Sequence, residues 1–339
     1  MKVLLIGGTG TISSAITKAL IEKNEEVYLL NRGYRNDEFK GKVKEIIVKD
    51  VNDEEEVKKA IGDQKFDVVC EFIGFVKSQL ERDVRLFEGK TKQFMYISSA
   101  SAYNKPCRDY VITEGTSLAN PYWQYSRDKI ECEEFLMKMY REKGFPATII
   151  RPSHTYCERE VPLGVHGQRG SYQVLKRMLE GKRVIIHGDG TSLWTMTHNS
   201  DFAKGFIGLM GNPHSIGEAF HITSDETLTW NQIYECVAKA LGVELKPYYV
   251  SSSFLAEAGD FDYEGSLLGD KANSVVFDNT KLKRAVPGLS MNVKFEDGIK
   301  QTVQYVLSHK ECQKEDPVFD AWCDRVIDAL EKAKKDIVK

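Results

Sequence analysis

The sequence predicts an α/β fold, a doubly wound parallel sheet followed by a smaller α/β part. Three observations carry this prediction. First, Lys2-Val3-Leu4-Leu5-Ile6 is an apolar run of strand length that leads at once into Gly7-Gly8-Thr9-Gly10-Thr11-Ile12-Ser13 and an amphipathic stretch through Glu22. Second, short apolar runs alternate with helical patterns, giving strands at 2–6, 26–31, 44–48, 66–72, 93–98 and 147–151 with helices between them. That is the rhythm of a parallel sheet covered on both faces. Third, the rhythm loosens after Arg151 into a segment rich in Gly, Pro and polar residues from Pro152 to Arg169.

Beyond that segment a helix near 171–180 leads to Val184-Ile185-Ile186 and Gly188-Asp189-Gly190, and helices near 230–241 and 295–307 complete the smaller part. From about 313 onward Phe319, Trp322, Val326 and Leu330 recur at helical spacing, an apolar stripe suited to packing. The expected organisation is a first unit over 1–160 with 199–212 packing back on it, a second over 161–310, and a helical tail over 311–339.

At 339 residues and 42% hydrophobic content the chain can bury a large core and exceeds the usual size of one domain. A formal net charge of -3 and a pI near 6.2 leave no electrostatic footprint for nucleic acid. Met1-Lys2 runs directly into the first strand, leaving no room for a signal peptide, and no apolar run of about 18 residues offers a membrane span. A cytoplasmic location is expected. Seven cysteines, odd in number and without a C-x-x-C pair, argue against a disulfide framework or a zinc site. Cys157, Glu158, Glu160 and His166 are poorly spaced for a metal, and none is expected.

A strand, glycine turn and helix in succession can hold a dinucleotide. Glycines let the backbone approach a pyrophosphate closely, and the amides at the helix start offer it hydrogen bonds and partial positive charge. The spacing Gly7-x-x-Gly10-x-x-Ser13 puts Ser where a third glycine is usual. Gly7, Thr9, Gly10, Thr11 and Ile12 are the first cofactor-binding candidates.

Tyr125-Ser126-Arg127-Asp128-Lys129 follows a Ser98-Ser99-Ala100-Ser101 cluster by about one βα unit. Residues four apart on a helix share a face, so the Tyr125 phenol and the Lys129 ammonium can point into one cleft. A phenol is a poor base at neutral pH, but a cation held nearby favours the phenolate and moves it toward the working range.

Taken together, the Gly7 to Ser13 turn, the Tyr96-Ile97-Ser98-Ser99 strand end, Tyr125 with Lys129, and Arg151-Pro152 resemble the extended short-chain dehydrogenase/reductase family, which includes nucleotide-sugar epimerases and dehydratases. The resemblance covers roughly residues 1 to 310 and implies a Rossmann sheet with a substrate-binding second part. It also implies that Tyr125 is the catalytic acid/base, that Lys129 binds the nicotinamide ribose and tunes Tyr125, and that Ser99 hydrogen-bonds the reacting oxygen, with Ser98 and Ser101 as alternatives. Asp50 and Val51 match the adenine-contacting position, while Phe72, Gly74 and Pro152 match positions near the nicotinamide. The helix carrying Tyr125 commonly pairs subunits in this family, and Ile130, Phe135, Leu136 and Met139 are compatible with a homodimer or with internal packing.

Cofactor choice is read at the end of the second strand, where a carboxylate suits the ribose hydroxyls of NAD and an arginine suits the extra phosphate of NADP. Here Asn31-Arg32-Gly33 is followed by Arg35, with no acid until Asp37. NADP is favoured, with NAD as the alternative.

Departures from the family bear on substrate. Its dehydratases place an acidic pair after the active-site hydroxyl, where this chain has Ala100-Ser101, so 4,6-dehydration is not expected. Two arginines that would hold a nucleotide diphosphate fall at Trp194 and Leu267, and an Asn after Arg-Pro is replaced by His154. Trp194 can stack on a sugar, His154 and His198 can bond hydroxyls, and Arg169 and Lys271 can replace phosphate contacts. The expected function is an NAD(P)-dependent oxidoreductase or epimerase acting on a carbinol of a sugar-like molecule. The alternative is a non-catalytic dinucleotide-binding or RNA-associated module on the same fold.

Overall fold

The computed structural model describes residues 1–35, 37–259 and 261–338, with Asp37 described in its backbone alone. The Asp37 side chain, the first acid after the second strand, therefore lies outside the described residues.

Strands β1 (Lys2–Ile6), β2 (Glu26–Asn31), β3 (Lys44–Ile47), β4 (Phe66–Glu71), β5 (Thr91–Ile97), β6 (Ala147–Pro152) and β7 (Ala219–Ile222) form a sheet in the order β7-β6-β5-β4-β1-β2-β3. Every pairing in it is parallel. Near-continuous Val, Leu and Ile in β1, with Val3, Leu4 and Leu5 all at 0% exposure, is what a strand buried on both faces requires. Helices α1 (Ser13–Glu22), α2 (Glu54–Ile61), α3 (Lys77–Phe87) and α4 (Gln124–Lys143) cover the sheet. The strand order reverses at β1, which lies between β2 and β4, and this opens a crevice at the carboxyl ends of β1 and β4.

The six expected strands are present to within two residues at their ends. β7 is a seventh that the pattern did not announce: Ala219-Phe220-His221-Ile222 is short and interrupted by a histidine, although Phe220, His221 and Ile222 are all buried. The stretch that returns to the first layer thus runs beyond 199–212. It contains helix Asn199–Leu209, whose Phe202, Phe206 and Leu209 pack with residues of α1, and it ends in β7. The second core gathers Val184, Ile185, Trp194, Trp230 and Val303. The tail helix, Pro317–Ile337, lays Phe319, Trp322 and Val326 into that same core, with Leu330 at its edge, so the tail is built into the second part.

Candidate active site

The turn after β1 is shaped by packing at its first two glycines and by room at its third. Gly7 has φ +87°, and a Cβ there would stand 2.7 Å from the Ile73 side chain. At Gly8 a Cβ would stand 2.5 Å from Leu29. At Gly10 it would meet only Ser13 Oγ, at 3.5 Å. The protein itself does not require glycine at 10, so the bare backbone there leaves space for a ligand. Ser13 replaces the usual third glycine by bridging the turn: its Oγ donates to Gly7 O (2.8 Å) and accepts from Gly10 N (2.9 Å). Ile12 is the N-cap of α1 and offers no side-chain acceptor, and of the first helical amides Ser14 N donates to Gly10 O at 2.9 Å.

A groove of about 860 Å³ runs past this turn, lined by Gly7, Thr9, Gly10, Asn31, Arg32, Arg35, Asp50 and Val51. Eight of the expected cofactor contacts are therefore gathered on one surface, with donors and a volume that fit a dinucleotide. Thr11 lies beyond them, lining an adjoining cleft of about 620 Å³ that shares Gly10 and Arg35. Arg32 is exposed and sits 5.4 Å over the Tyr34 ring. Phe72 departs from expectation: its ring packs against Phe206, centroids 5.7 Å apart, because β4 ends by turning that side chain into the core. Ile12 likewise packs on the core around α1.

Tyr125 lies in the first turn of α4, and Lys129 follows one turn later. Lys129 is 1% exposed, and its Nζ donates to Gly74 O (2.7 Å) and Ile97 O (2.8 Å) between the Tyr96 and Phe75 rings. Burial pushes its pKa down to about 8. The phenol of Tyr125 is raised, chiefly by burial, and the Ser99 hydroxyl beside it works the other way. The expected lowering of the phenol by the cation is thus absent here. Lys129 spends its ammonium on two carbonyls, 5.8 Å from the Tyr125 ring centre, while the phenol loses solvent.

The three serines are separated by their partners. Ser98 donates to Glu133, which also holds Arg151 at 2.6–3.2 Å, so Ser98 is committed to the interior. Ser99 faces Tyr125 and shares a 2.9 Å hydrogen bond with Ser101, which accepts one from Ser126 at 2.7 Å.

A pocket of about 240 Å³ opens at this hydroxyl pair and brings together Ser99, Ser101, Tyr125, Pro152, His154, Trp194 and Lys271. Trp194 stacks on Trp230 at 5.5 Å and donates from Nε1 to His154 Nδ1 at 3.1 Å. Burial pushes His154 down to about 3, so it is a neutral imidazole whose proton is on Nε2. Two expected substrate residues lie elsewhere. Arg169 lines the 620 Å³ cleft, because its amide bonds to Asp316 and its guanidinium to Glu315 O at the start of the tail. His198 caps helix Asn199–Leu209, bonding Ser200 at 2.7 Å and turning edge-on to Tyr156.

These features can be set beside known proteins. Residues 3–223 match the family described as the NAD dependent epimerase/dehydratase family. The chain belongs to that family. A curated relative, 2'-dehydrokanamycin reductase of Streptomyces kanamyceticus, is 23% identical over 76% of this chain and 71% of its own. The chloroplast stem-loop binding protein of 41 kDa b from Arabidopsis thaliana is 25% identical over 71% of this chain and 63% of its own. Among solved structures, UDP-glucuronic acid 4-epimerase from Bacillus cereus, in complex with UDP-glucuronic acid and NAD, shares the fold with a TM-score of 0.72 at 19% identity, over 91% of this chain and 99% of that one.

Within this epimerase/dehydratase family the pocket has features that the sequence reading passed over. Lys105, Trp123 and Asp270 line it, and Lys105 lies 3.9 Å from Asp270 across 165 positions of sequence. Lys105 carries no local signal, since it stands in an irregular loop with neither strand nor helix period. Leu267 is fully buried in the second core. Among the described residues no group of three or more His, Cys, Asp or Glu side chains could hold a metal, and Glu160 instead accepts from the Ser171 amide.

Proposed function

We propose that the chain is an NAD(P)-dependent oxidoreductase or epimerase that transfers hydride to or from a carbinol carbon of a sugar-like substrate. The observation that carries this reading is the placement of Ser99 and Tyr125 at the mouth of the 240 Å³ pocket, with Lys129 buried behind them against Gly74. A bound nicotinamide would supply the hydride acceptor or donor. Tyr125 takes the proton from the hydroxyl, or returns it to the ketone, and Ser99 donates to the oxygen as its charge changes. Lys129 holds the β4 and β5 ends in place through Gly74 O and Ile97 O and would be the residue to hold the cofactor ribose. Gly10, Thr9, Asp50 and Val51 would hold the dinucleotide, and Arg32 with Arg35 suits the phosphate of NADP over NAD.

The name of the kanamycin relative describes a reduction, which fits hydride transfer. The family name includes dehydratases, but we favour no dehydration, since Ala100 and Ser101 occupy the positions where a second acid and base would stand. Seven free cysteines suit a reducing cytoplasmic compartment. A homodimer through α3 and α4 would use Ile130, Phe135 and Met139 rather than Leu136, which is wholly inside the chain's own core.

A second reading, an RNA-associated module, draws on the relative named a stem-loop binding protein. The experiment is to identify any dinucleotide released on denaturation and to compare Tyr125→Phe with the parent. Near-stoichiometric bound dinucleotide favours an epimerase, and reversible binding of added NADP or NAD favours a dehydrogenase. A fully active Tyr125→Phe would refute the mechanism, and RNA binding without dinucleotide-dependent activity would favour the module.

A further inference from the structure

The pocket beside Tyr125 has a size and a charge that together specify its ligand more closely. At about 240 Å³ it falls below the ~300–1,000 Å³ of sites for drug-sized molecules. It has room for one sugar ring, and a base, ribose and diphosphate would lie outside it. Arginine, whose fork suits a diphosphate, is absent from its described lining. Where the family resemblance places one, Trp194 is 2% exposed and packed flat on Trp230.

Its polar end is cationic. Lys105 is 3% exposed; its ammonium bonds Cys107 Sγ at 3.8 Å and lies 3.9 Å from Asp270 Oδ1, long for a hydrogen bond to oxygen. Lys271 contributes a second ammonium, 3.3 Å from Ser266 O and 5.9 Å from the Trp123 ring centre. Both lysines act on the Asp270 carboxylate, which burial pushes upward; Asp262 also acts on Lys271, whose own ammonium burial pushes downward. A cation held away from water is costly unless paired, and in the pocket lining two lysines meet a single carboxylate. Asp270 also acts on the Tyr125 phenol, so the charged cluster and the Ser99–Tyr125 pair face the same space.

We propose that the site takes a single sugar or polyol unit bearing an anionic substituent, a carboxylate or a phosphate monoester, and no nucleotide. Lys105 and Lys271 receive the charge while the carbinol faces Tyr125. This rests on the hydride-transfer reading of the same pocket.

The test is calorimetric binding to the whole protein saturated with dinucleotide, using D-glucuronate, D-glucose 6-phosphate, D-glucose and UDP-glucuronate as probes. At least one of the two simple acids should bind about tenfold or more tighter than glucose, and UDP-glucuronate no tighter than glucuronate. Whichever acid binds better distinguishes carboxylate from phosphate. Lys271→Met and Lys105→Met should each reduce that preference about tenfold while dinucleotide affinity stays constant. Equal binding of glucose and the acids, tighter binding of UDP-glucuronate, no binding of either acid, or folded lysine variants that keep the preference would each overturn the proposal. Binding of the acid by a protein whose Tyr125→Phe variant is fully active would leave this assignment standing and remove the hydride-transfer reading instead.

Discussion

The Lys129 ammonium lies 2.7 Å from the carbonyl oxygen of Gly74, and the same nitrogen reaches Ile97 O at 2.8 Å. One buried cation thus joins helix α4 to the ends of β4 and β5. Its pKa is pushed down to about 8 by burial, from 10.5. A lysine shifted this way carries a destabilising charge that is fully felt below about pH 8 and fades as the pH climbs toward 10.5, because over that window the unfolded chain binds the additional proton. The parent should therefore gain stability relative to Lys129→Met, by up to ~1.4 kcal/mol per pH unit across the window. Denaturant unfolding of both proteins below and above pH 8 checks this, and parallel pH profiles would show the charge is not buried.

Gly7 and Gly10 should separate folding from ligand binding. Gly7→Ala forces a side chain into φ +87° and against Ile73 at 2.7 Å, at a cost of ~1–3 kcal/mol in urea unfolding. Gly10→Ala adds a methyl that meets only Ser13 Oγ at 3.5 Å, so stability should stay within ~0.5 kcal/mol. Dinucleotide affinity should nevertheless fall about tenfold in a fluorescence titration. A Gly10→Ala protein that binds normally would mean the ligand does not approach this backbone.

The sheet was legible chiefly from inner strands such as β1, buried on both faces and read as an unbroken apolar run, whereas edge strand β3 buries only Ile46. β7 was not legible, since His221 interrupts it and its Nε2 is satisfied by Asp278 O at 2.9 Å, a contact 57 positions away. Gly10 was legible from its place in a strand, glycine turn and helix, and Ser99 and Tyr125 from the family resemblance that their motifs carry. Lys105 with Asp270 was not, because that pair exists only once the second part folds over the first. Arg169 and His198 were misplaced for the converse reason: each has a polar partner, Asp316 or Ser200, that turns it away from the pocket.

Arg32 is exposed, stacked on Tyr34 and beside Asn31 in the groove. Arg32→Ala should weaken NADP about tenfold or more, as loss of a ~1.5–3 kcal/mol charge-assisted bond requires, while NAD affinity stays nearly constant. Direct titration with both dinucleotides decides it. Equal weakening would place the 2′-phosphate elsewhere.

Arg151 depends on Glu133 for its charge in the interior. Arg151 is 5% exposed, bonded through Nε at 3.0 Å and Nη2 at 2.6 Å to a carboxylate that also accepts from Ser98. Burial works against the guanidinium charge, and the Glu133 carboxylate more than offsets it. Glu133→Ala leaves that charge unpaired beneath the serine cluster and should cost ~3–5 kcal/mol. Removing both charges, as Glu133→Met with Arg151→Met, should cost less than the single change, because the expense lies in the stranded cation rather than in the lost attraction. Denaturant unfolding of the single and double variants measures the difference. A double variant less stable than Glu133→Ala would mean that the hydrogen bonds to Ser98, rather than the buried charge, dominate this site.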